Sequence, residues 1–383
     1  MPEQLTPRAR LTRVEPGSPR LHTIANALGR AHNIVALAGA GVSTSAGIPD
    51  YRSPRSPVAS TNLASSPYSC TGTSFSLLAS QSSSPISTPT KKRPSHGGMV
   101  SSAKRRKKMT TSSTGATQGL YADGKLFSEA AFRDTTERVQ LLQKALYLRD
   151  LAVDCKPTLT HAWLASLGSQ LLRLYTQNVD MLEDQAGLRT GLGQQSNCVQ
   201  LHGTVASLEC YLCHERYGWE DFRDDINLGR DLLCPKCTKR SKDRESAGKR
   251  RHTIGQLRPS MVMLDGPQPQ GAEIAELVED DCAADPQAFL ILGTSLKVDG
   301  PKTLARQFAR QVRACGGTVI YVNRSKPTSA WDNLIDYWVE WTCDAWVGDL
   351  LRRQGTLQSK TDKTGSAAPC RLGSYKEYPI VVN

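Results

Sequence analysis

The sequence lacks any apolar run long enough to span a lipid bilayer, so we expect no membrane-spanning helix and no membrane partner. The opening segment MPEQLTPRARLTR carries positive charge without the apolar stretch that follows it in a secretory signal. These absences predict a soluble, intracellular protein. Hydrophobic residues make up only 39% of the chain, which is low for a compact enzyme and predicts that part of it stays unpacked.

Acidic residues are missing from Pro54–Gln118, a stretch that contains nine Lys or Arg residues and is rich in Ser, Thr and Pro. Because it has too few apolar side chains to offset the entropy lost on ordering, we predict a disordered insert over residues 54–117. A folded domain tolerates such an insert, since closure entropy grows only with the logarithm of loop length. We expect a catalytic core over residues 21–53 and 118–355, and a flexible tail over residues 356–383.

Positive charge is concentrated in two segments of the chain. Cys234–Thr253 has a net charge of +6, and the whole sequence has a formal net charge of +12. Subtracting this segment and the nine charges of the insert leaves a net charge of −3 for the remainder. The globular body is therefore not a basic nucleic-acid-binding surface, although the two basic segments could contact DNA nonspecifically.

The cysteines are eleven in number, and an odd count without a secretory signal argues against a closed disulfide framework. Four of them form the pairs Cys210-x-x-Cys213 and Cys234-x-x-Cys237, which are separated by twenty residues. This spacing is typical of a tetrathiolate zinc site, in which four protein ligands leave no open position on the ion. We predict one structural zinc ion in a module over residues 205–258. The alternatives are four unrelated buried cysteines or a redox pair.

Short apolar runs alternate with helix-like segments outside the insert. The strand candidates are Asn33–Ala38, Leu171–Tyr175, Ala288–Leu292, Thr318–Val322 and Tyr337–Trp341. Between the third and fourth lies Pro301–Cys315, which has apolar residues at helical spacing and stops at a Gly-Gly pair. A strand, a helix and a strand in that order imply a right-handed crossover and a parallel sheet. We predict an α/β fold with a doubly wound, Rossmann-like parallel sheet.

The first strand candidate is followed by Gly39-Ala40-Gly41, then by Ser43 and Gly47. Glycines let a backbone approach a pyrophosphate, and the next helix N-terminus can bind it; a plain strand–helix turn is the alternative. The spacing departs from Gly-x-Gly-x-x-Gly, and no acidic ribose ligand follows about twenty residues on, so a hydride-transfer dehydrogenase is disfavoured. The continuation Ile48-Pro49-Asp50-Tyr51-Arg52 suits a loop over a ligand.

Polar or small residues also follow the other strand candidates, at the edge where open α/β sheets bind ligands. The clusters are Thr176–Asp180, Gly293-Thr294-Ser295, Asn323-Arg324-Ser325 and Cys343-Asp344. Any one of them could be turn chemistry, and Asp180 alone could be a helix cap. Gln200-Leu201-His202-Gly203 precedes the cysteine pairs. A single histidine is usually structural, but His202 would suit general-base work if it faced a ribose.

Taken in order, these motifs resemble the sirtuin family of NAD-dependent protein-lysine deacylases. The resemblance covers about residues 25–351, apart from the insert. It includes GAGVSTSAGIPDYRS (39–53), KPTLTH (156–161), TQNVD (176–180), QLHG (200–203), the two cysteine pairs, LRP (257–259), GTSLKV (293–298), VN (322–323) and CD (343–344).

The resemblance implies a role for each matched position, with NAD as co-substrate. His202 would be the general base, and we assign His202 and Asn178 as catalytic residues. The pyrophosphate would be held by Gly39, Ala40, Gly41 and Ser43. The nicotinamide and its ribose would be positioned by Asp50, Asn178 and Asp180 and covered by Tyr51 and Arg52. The adenosine side would be lined by Gly293, Thr294, Ser295, Asn323 and Cys343. Ile48, Pro49, Gln177 and Arg324 complete the predicted cofactor site.

The implied function is NAD-dependent deacetylation of acetyl-lysine in proteins, which produces nicotinamide, O-acetyl-ADP-ribose and free lysine. The sequence looks most like the fungal nuclear branch of the family, so histone tails or nucleosomes are the expected substrates, with a role in chromatin and transcription regulation. Two alternatives stay open. One is longer-chain deacylation or ADP-ribosyl transfer on the same fold, and the other is a catalytically silent, zinc-containing chromatin scaffold.

Two departures from the family pattern bear on the substrate. Tyr51 stands where the family usually has Phe. Met261–Gly266 replaces a Val-Val-x-Phe-Gly-Glu-like stretch that pairs with the substrate backbone by strand addition. With Leu264 in place of the aromatic residue and Asp265 in place of Gly, the peptide and acyl preferences stay open.

Two basic clusters in the insert, Lys91-Lys92-Arg93 and Lys104-Arg105-Arg106-Lys107-Lys108, are ten residues apart. This spacing is typical of a bipartite nuclear import signal, and a solvated, phosphate-binding linker is the alternative. We therefore expect a nuclear protein that binds an import receptor.

Overall fold

The computed structural model of the chain describes residues 11–49 and 124–361. The predicted insert, its two basic clusters, and Asp50, Tyr51 and Arg52 lie outside the described residues. The predicted tail begins inside them, because the last helix continues to Thr361, beyond the expected boundary at residue 355.

Strands and helices alternate along most of the described chain. The strands are β1 (Thr12–Val14), β2 (Ile34–Ala38), β3 (Leu171–Thr176), β4 (Cys198–Gln200), β5 (Gly203–Cys210), β6 (Arg216–Tyr217), β7 (Leu257–Met261), β8 (Ala288–Leu292), β9 (Thr318–Val322) and β10 (Tyr337–Val339). The helices are α1 (Arg20–Arg30), α2 (Glu129–Arg133), α3 (Thr135–Asp154), α4 (Leu159–Ser166), α5 (Leu182–Gln185), α6 (Arg223–Asn227), α7 (Pro235–Ser246), α8 (Gly271–Ala283), α9 (Asp299–Ala314) and α10 (Cys343–Thr361). None of these helices combines the length and apolar character that crossing a membrane requires.

The main sheet has seven parallel strands in the order β1-β10-β9-β8-β2-β3-β4. This confirms the predicted parallel α/β fold. β8 and β9 match the predicted strands residue for residue, and α9 joins them as expected. The other three predicted strands are found within two residues of their expected bounds.

Helices cover both faces of the main sheet, which makes it doubly wound. Side chains of β2 alternate between the two faces, because successive residues of a strand point in opposite directions. Ile34, Ala36 and Ala38 pack in a core with α1, α4 and α10, whereas Val35 and Leu37 pack in a core with α8 and α9. A strand buried on both sides reads as an unbroken apolar run, as this one does.

The edge strand β1 was not predicted. It lies before residue 21, the expected start of the core, and pairs with β10 in the register Thr12↔Tyr337. Its three residues, TRV, are too few to show a period-two pattern, and two of them are polar. Only the neighbouring strand identifies it as part of the sheet.

A second, antiparallel sheet has the order β6-β5-β7 and supports the cysteine pairs. It spans residues 203–261, slightly more than the predicted module over residues 205–258. Its small apolar core centres on Trp219, which is buried and donates from its indole nitrogen to the carbonyl oxygen of Val205 at 2.8 Å. Leu142 and Leu146 of α3 close this core.

Candidate functional site

The order of strands in the main sheet reverses direction between the adjacent strands β2 and β8. After β2 the order runs outward to β3 and β4, and after β8 it runs the other way to β9 and β10. The crevice outside the carboxyl ends of such a strand pair is where open α/β sheets bind ligands. We call the residues that follow β2, β3, β4, β8 and β9 at this edge the carboxyl rim. It comprises residues 39–49, 177–180, 201–203, 293–296 and 323–325.

Two glycine loops touch each other at the centre of the rim. The N–H of Gly39 donates to the carbonyl oxygen of Leu292 (3.0 Å), and that of Gly41 donates to the carbonyl oxygen of Gly293 (2.8 Å). A Cβ on Gly41 would lie 2.6 Å from the Cα of Gly293, closer than real Cβ atoms approach backbone. The glycines are therefore needed for the contact between loops, and they also keep a ligand-facing backbone free of side chains.

Asn178 and Ser43 form a buried polar pair beside the first glycine loop. Asn178 donates from Nδ2 to Ser43 Oγ at 3.1 Å, and its own N–H donates to Thr176 Oγ1 at 3.1 Å. Ser43 is fully buried and Asn178 is 5% exposed. Asp180, two residues on, accepts the N–H of Leu182 on one carboxylate oxygen at 3.1 Å, but the capping position of α5 is held by Met181 and not by Asp180.

His202 is fixed in a single orientation at the end of β4. Its Nδ1 lies 2.9 Å from the carbonyl oxygen of Gln177. Because a carbonyl oxygen can only accept, Nδ1 carries the proton and Nε2 presents a lone pair. Burial lowers the pKa of His202 and outweighs the opposing effect of the carbonyl group, so the imidazole is neutral near pH 7. The arrangement provides a held proton acceptor.

The polar residues after β3, β8 and β9 are linked through Thr294. Gln177 donates from Nε2 to Thr294 Oγ1 at 2.9 Å. Asn323 and Tyr321 both donate to the carbonyl oxygen of Thr294, at 3.3 and 2.9 Å. Three of the four polar clusters predicted at this edge, those after β3, β8 and β9, are therefore linked to one another.

The remaining predicted cofactor-site residues differ in how far they are buried. Ile48 is buried, Pro49 and Ser295 are half-buried, and Arg324 is exposed. Cys343 begins α10 and packs in the apolar core, where burial raises its pKa to about 12 and keeps the thiol neutral. Ala40 follows Gly39 and begins the short 3-10 turn Ala40–Val42, which includes Gly41.

Sequence reasoning gave no role to the network that ties the rim to α4 and α10. Thr158 donates from Oγ1 to the carbonyl oxygen of Val42 at 3.0 Å. Asp344 accepts hydrogen bonds from Ser45 and from the backbone and side chain of Thr160. The KPTLTH and CD motifs include these residues, but neither motif predicts that its residues contact those of the other. The network fixes the 3-10 turns that follow β2.

The four predicted zinc ligands meet in one place, which we call the cysteine centre. Their sulfur atoms all lie within 4.8 Å of one another, with Cys210 3.8 Å from Cys237 and Cys213 3.6 Å from Cys234. Four sulfurs bonded to one zinc ion at about 2.3 Å lie about 3.8 Å apart. Backbone N–H groups of Cys237 and Cys213 donate to sulfur atoms and favour the thiolate form. The donor set fits a tetrahedral zinc ion.

The segment after β7 joins the cysteine centre to the rim. Val262 donates its N–H to the carbonyl oxygen of His202 at 3.0 Å. Leu264 donates its N–H to Phe127, accepts the N–H of Glu129, and leaves its side chain 52% exposed. Asp265 has φ +61°, a left-handed conformation that favours the glycine expected at this position.

The Sir2 family matches residues 114–300 of the chain. The chain is 33% identical over 261 residues to the NAD-dependent histone deacetylase HST3 of Candida albicans, covering 61% of this chain and 54% of the relative. It is 34% identical over 210 residues to the HST3 protein of Saccharomyces cerevisiae, covering 50% and 47%. The NAD-dependent protein deacetylase hst4 of Schizosaccharomyces pombe is 28% identical over 341 residues, covering 84% and 68%. The chain spans about half the length of the two HST3 relatives.

Solved structures share the fold. A crystal structure described as a Sir2 homolog–NAD complex matches with a TM-score of 0.57 at 16% identity, covering 91% of this chain and 98% of that chain. A structure of Sir2Tm bound to a propionylated peptide matches with a TM-score of 0.55 at 18% identity, covering 88% and 99%. The parallel sheet with its smaller cysteine-bearing sheet is therefore a sirtuin-like fold.

Proposed function

We propose that the chain, of which residues 114–300 match the Sir2 family, removes acetyl groups from lysine side chains of proteins in an NAD-dependent reaction, with histones as the substrate class. Two of its relatives are named NAD-dependent histone deacetylase HST3. The observation that carries the proposal is the neutral imidazole of His202, held by the carbonyl oxygen of Gln177, the residue before the buried Asn178 that bonds to Ser43. The products in this proposal are nicotinamide, O-acetyl-ADP-ribose and free lysine.

The rim has the chemistry to hold NAD across the strand pair β2 and β8. The first glycine loop receives the pyrophosphate, Asn178 and Asp180 receive the nicotinamide ribose, and Thr294 and Asn323 lie on the adenosine side. When bound, NAD supplies the ribose carbon that takes up the acetyl oxygen as nicotinamide departs. Asn178 and Asp180 are nearly buried, so they orient their partner with little competition from water.

His202 acts as the general base in this proposal. Its protonated Nδ1 is held by Gln177, so Nε2 is the only ring atom that can accept a proton from a ribose hydroxyl. Its lowered pKa keeps it unprotonated at neutral pH, which is the form that the step needs. The hydrogen bond to Gln177 then steadies the imidazolium that forms.

The test measures nicotinamide release from NAD in the presence and absence of an acetylated histone peptide. Wild-type protein is expected to release nicotinamide only with the acetylated peptide, and His202→Ala is expected to lose that release. His252→Ala, which changes an exposed histidine outside the rim, serves as the matched control. If wild-type protein releases no nicotinamide, the catalytically silent scaffold is the better interpretation.

A second activity, removal of longer acyl groups, is favoured by Leu264. Its exposed side chain occupies the position of the family's aromatic residue and leaves more room beside the segment proposed to pair with the substrate. The comparison of acetylated, succinylated and long-chain acylated peptides separates this activity from deacetylation, and labelled NAD reports any ADP-ribosyl transfer.

DNA is a proposed further partner of α7 and the loop that follows it. Lys239, Arg240 and Lys242 are exposed there, and within the described ranges none of them forms an ion pair. Exposed cations on one helix suit phosphate contacts, which weaken steeply as salt rises. Replacing all three by Glu should reduce the salt dependence of binding to duplex DNA, whereas Lys326→Glu, outside the module, should not.

Nuclear localisation is proposed from the basic clusters of the insert, which lie outside the described residues, and from the histone deacetylase names of the relatives. Deletion of residues 91–108 is expected to move the protein out of the nucleus by removing its contact with an import receptor. Unchanged nuclear staining of the deletion variant would refute this.

A further inference from the structure

Three ionisable side chains meet in a buried cluster beneath the rim. The cluster comprises His161 of α4, Asp180 of the loop after β3, and Glu183 of α5. One side-chain nitrogen or oxygen atom of each lies within 4.8 Å of those of the other two. His161 and Glu183 are fully buried and Asp180 is 7% exposed. We call this group the acid cluster. It shares Asp180 with the predicted nicotinamide site, whereas His161 and Glu183 belong to no predicted site.

Two atoms of the acid cluster have no hydrogen-bond partner among the described residues. They are His161 Nε2 and Glu183 Oε2. The N–H of Thr158 donates to His161 Nδ1 at 3.2 Å in the capping box that starts α4. Since Nδ1 accepts this N–H, the proton of the neutral ring is on Nε2, which is buried and makes no hydrogen bond among the described residues. A protonated Nε2 is a donor and not a metal ligand.

Two carboxylates so close together in a dry site do not both ionise. Burial, followed by the charge of Asp180, raises the pKa of Glu183 to about 8. Asp180 accepts the N–H of Leu182, whereas Glu183 is the member of the pair whose pKa is raised. Glu183 is therefore predominantly protonated at neutral pH.

Glu183 also reaches the rim through one hydroxyl group. Thr176 donates from Oγ1 to Glu183 Oε1 at 2.5 Å, and the same hydroxyl oxygen accepts the N–H of Asn178 at 3.1 Å. A change in the charge of Glu183 therefore acts on Asn178 through Thr176 and on Asp180 directly.

We propose that Asp180 and Glu183 share a single proton, with the buried imidazole of His161 beside the pair, and that this proton holds Asp180 and Asn178 in the geometry that receives the nicotinamide end of NAD. Glu183 and His161 are then positioning residues. The part of the proposal that concerns NAD rests on the function proposed above, whereas the shared proton does not.

Other titratable groups face the acid cluster from the neighbouring elements. Cys198 of β4 and Cys155 after α3 are thiols whose pKa is raised, mainly by burial. They stay neutral across the relevant pH range. Asp344 of α10 faces His161 and is held by Thr160. Asp344 is therefore a carboxylate whose charge acts on His161 from outside the cluster, and the exposed Asp184 of α5 acts on the neighbouring Cys198.

The first test measures thermal unfolding between pH 5 and pH 8.5. Folded Glu183 keeps its proton up to about pH 8, whereas unfolded glutamate loses it near 4.5. The stability that the proton contributes is therefore present below pH 4.5 and is lost as the pH rises toward 8. We expect the Tm of wild-type protein to fall more steeply with pH than that of Glu183→Gln, which imitates the protonated carboxyl group.

Asp184→Asn is the matched control, because Asp184 is the exposed neighbour of Glu183 on the same helix. It should keep the wild-type slope of Tm against pH. Equal slopes for wild type and Glu183→Gln would overturn the shared proton. The shared proton would also be overturned if the wild type bound a second metal ion per chain, in addition to the ion of the cysteine centre, and Glu183→Gln did not bind it.

The second test measures the KM for NAD between pH 7 and pH 9. If binding needs the protonated pair, the KM of the wild type rises about tenfold over this range, because the competent fraction falls tenfold for each unit above the pKa. The KM of Glu183→Gln stays flat, while kcat changes little in either protein. A wild-type KM that does not rise would overturn the link to NAD. Loss of all activity together with the expected Tm slopes would contradict the proposed function alone.

Discussion

The carboxyl rim and the cysteine centre are both candidate binding regions of one chain, yet they are assembled in opposite ways. The rim collects loops from residue 39 to residue 325 and depends on the strand order of the main sheet. The centre takes all its ligands from residues 210–237, one pair at the end of β5 and the other at the start of α7. Long-range topology therefore builds one region, and local spacing builds the other.

The two regions also differ in what holds them together. The rim follows strands that are buried on both faces, and backbone hydrogen bonds join its loops to neighbouring strands. The cysteine centre lies in a small core, where four thiols face one another. We infer that the rim is preformed without its ligand, whereas the centre depends on its metal ion.

The largest expected effect is that of Cys234→Ser, which removes one ligand of the cysteine centre. Structural zinc binding contributes about 10–16 kcal/mol in small zinc domains, as much as the whole stability of a typical protein. The variant should lose its zinc and unfold the β5–β7 module. Elemental analysis measures the zinc, and thermal melting followed by circular dichroism measures the unfolding.

Cys315→Ser is the control for this prediction, because Cys315 is exposed and lies outside the centre. It should keep one zinc ion per chain and the wild-type Tm. A Cys234→Ser protein with full zinc content would show that the four sulfurs are not a metal site. Retention of part of the sheet signal after zinc loss would support the contrast between the two regions.

His202→Ala should break the chemistry of the rim without breaking the fold. Losing a general base lowers kcat/KM by about 100- to 10,000-fold, and the Tm should change far less than in Cys234→Ser. The pH profile gives an independent check. Because burial lowers the pKa of His202, wild-type activity should persist below pH 6.5 and fall only as the pH drops through that lowered value.

The activity of the wild type is measured as kcat/KM from pH 5 to pH 8 with an acetylated peptide. An acid limb above pH 6.5 would contradict a buried, neutral His202 as the base. His252→Ala should reproduce the wild-type profile, since His252 is exposed and outside the rim.

The contrast between the regions also explains what the sequence could predict. The spacing of the cysteine pairs identified all four members of the centre, since a tetrathiolate site is encoded within short turns. The apolar runs predicted five strands of the main sheet, because a strand that is buried on both faces has a distinctive composition. β1 was missed because its place is fixed by β10 and not by its own residues.

The contacts within the rim are harder to predict from the sequence than the members of the cysteine centre. Motif order brought Asn178, His202 and Thr294 to one edge, as the structure has them. The tie between Thr160 and Asp344 and the approach of Gly41 to Gly293 are tertiary contacts between distant segments. A sequence without such pair information offers only the residue types, so neither contact could be predicted.

Two glycines allow the regions to be perturbed separately by the same small change. Gly41→Ala would place a Cβ 2.6 Å from the Cα of Gly293 in the rim, and Gly255→Ala would place one 2.6 Å from the sulfur of Cys210. The first should lower stability by about 1–3 kcal/mol and raise the KM for NAD, because two backbones must separate. The second should weaken zinc binding about tenfold or more by displacing a ligand.

Chemical denaturation and chelator competition measure these two effects in both variants. Gly300→Ala is the control, because a Cβ there meets nothing within 4 Å. If Gly41→Ala altered the affinity for zinc as much as Gly255→Ala does, the two regions would be coupled and the comparison would fail.

The smallest expected effect concerns Leu264, in the segment that joins the two regions. Its backbone is fixed by Phe127 and Glu129, so a new side chain there should alter the room beside the rim without moving the main chain. Leu264→Phe should lower kcat/KM for long-chain acylated peptides about tenfold and change that for acetylated peptides little. One or two methylene groups in a pocket are worth roughly this much discrimination. Leu228→Phe, at an exposed leucine after α6, should leave the ratio unchanged. An unchanged ratio in Leu264→Phe would mean that acyl preference is set within the rim itself, and that the joining segment selects only the peptide.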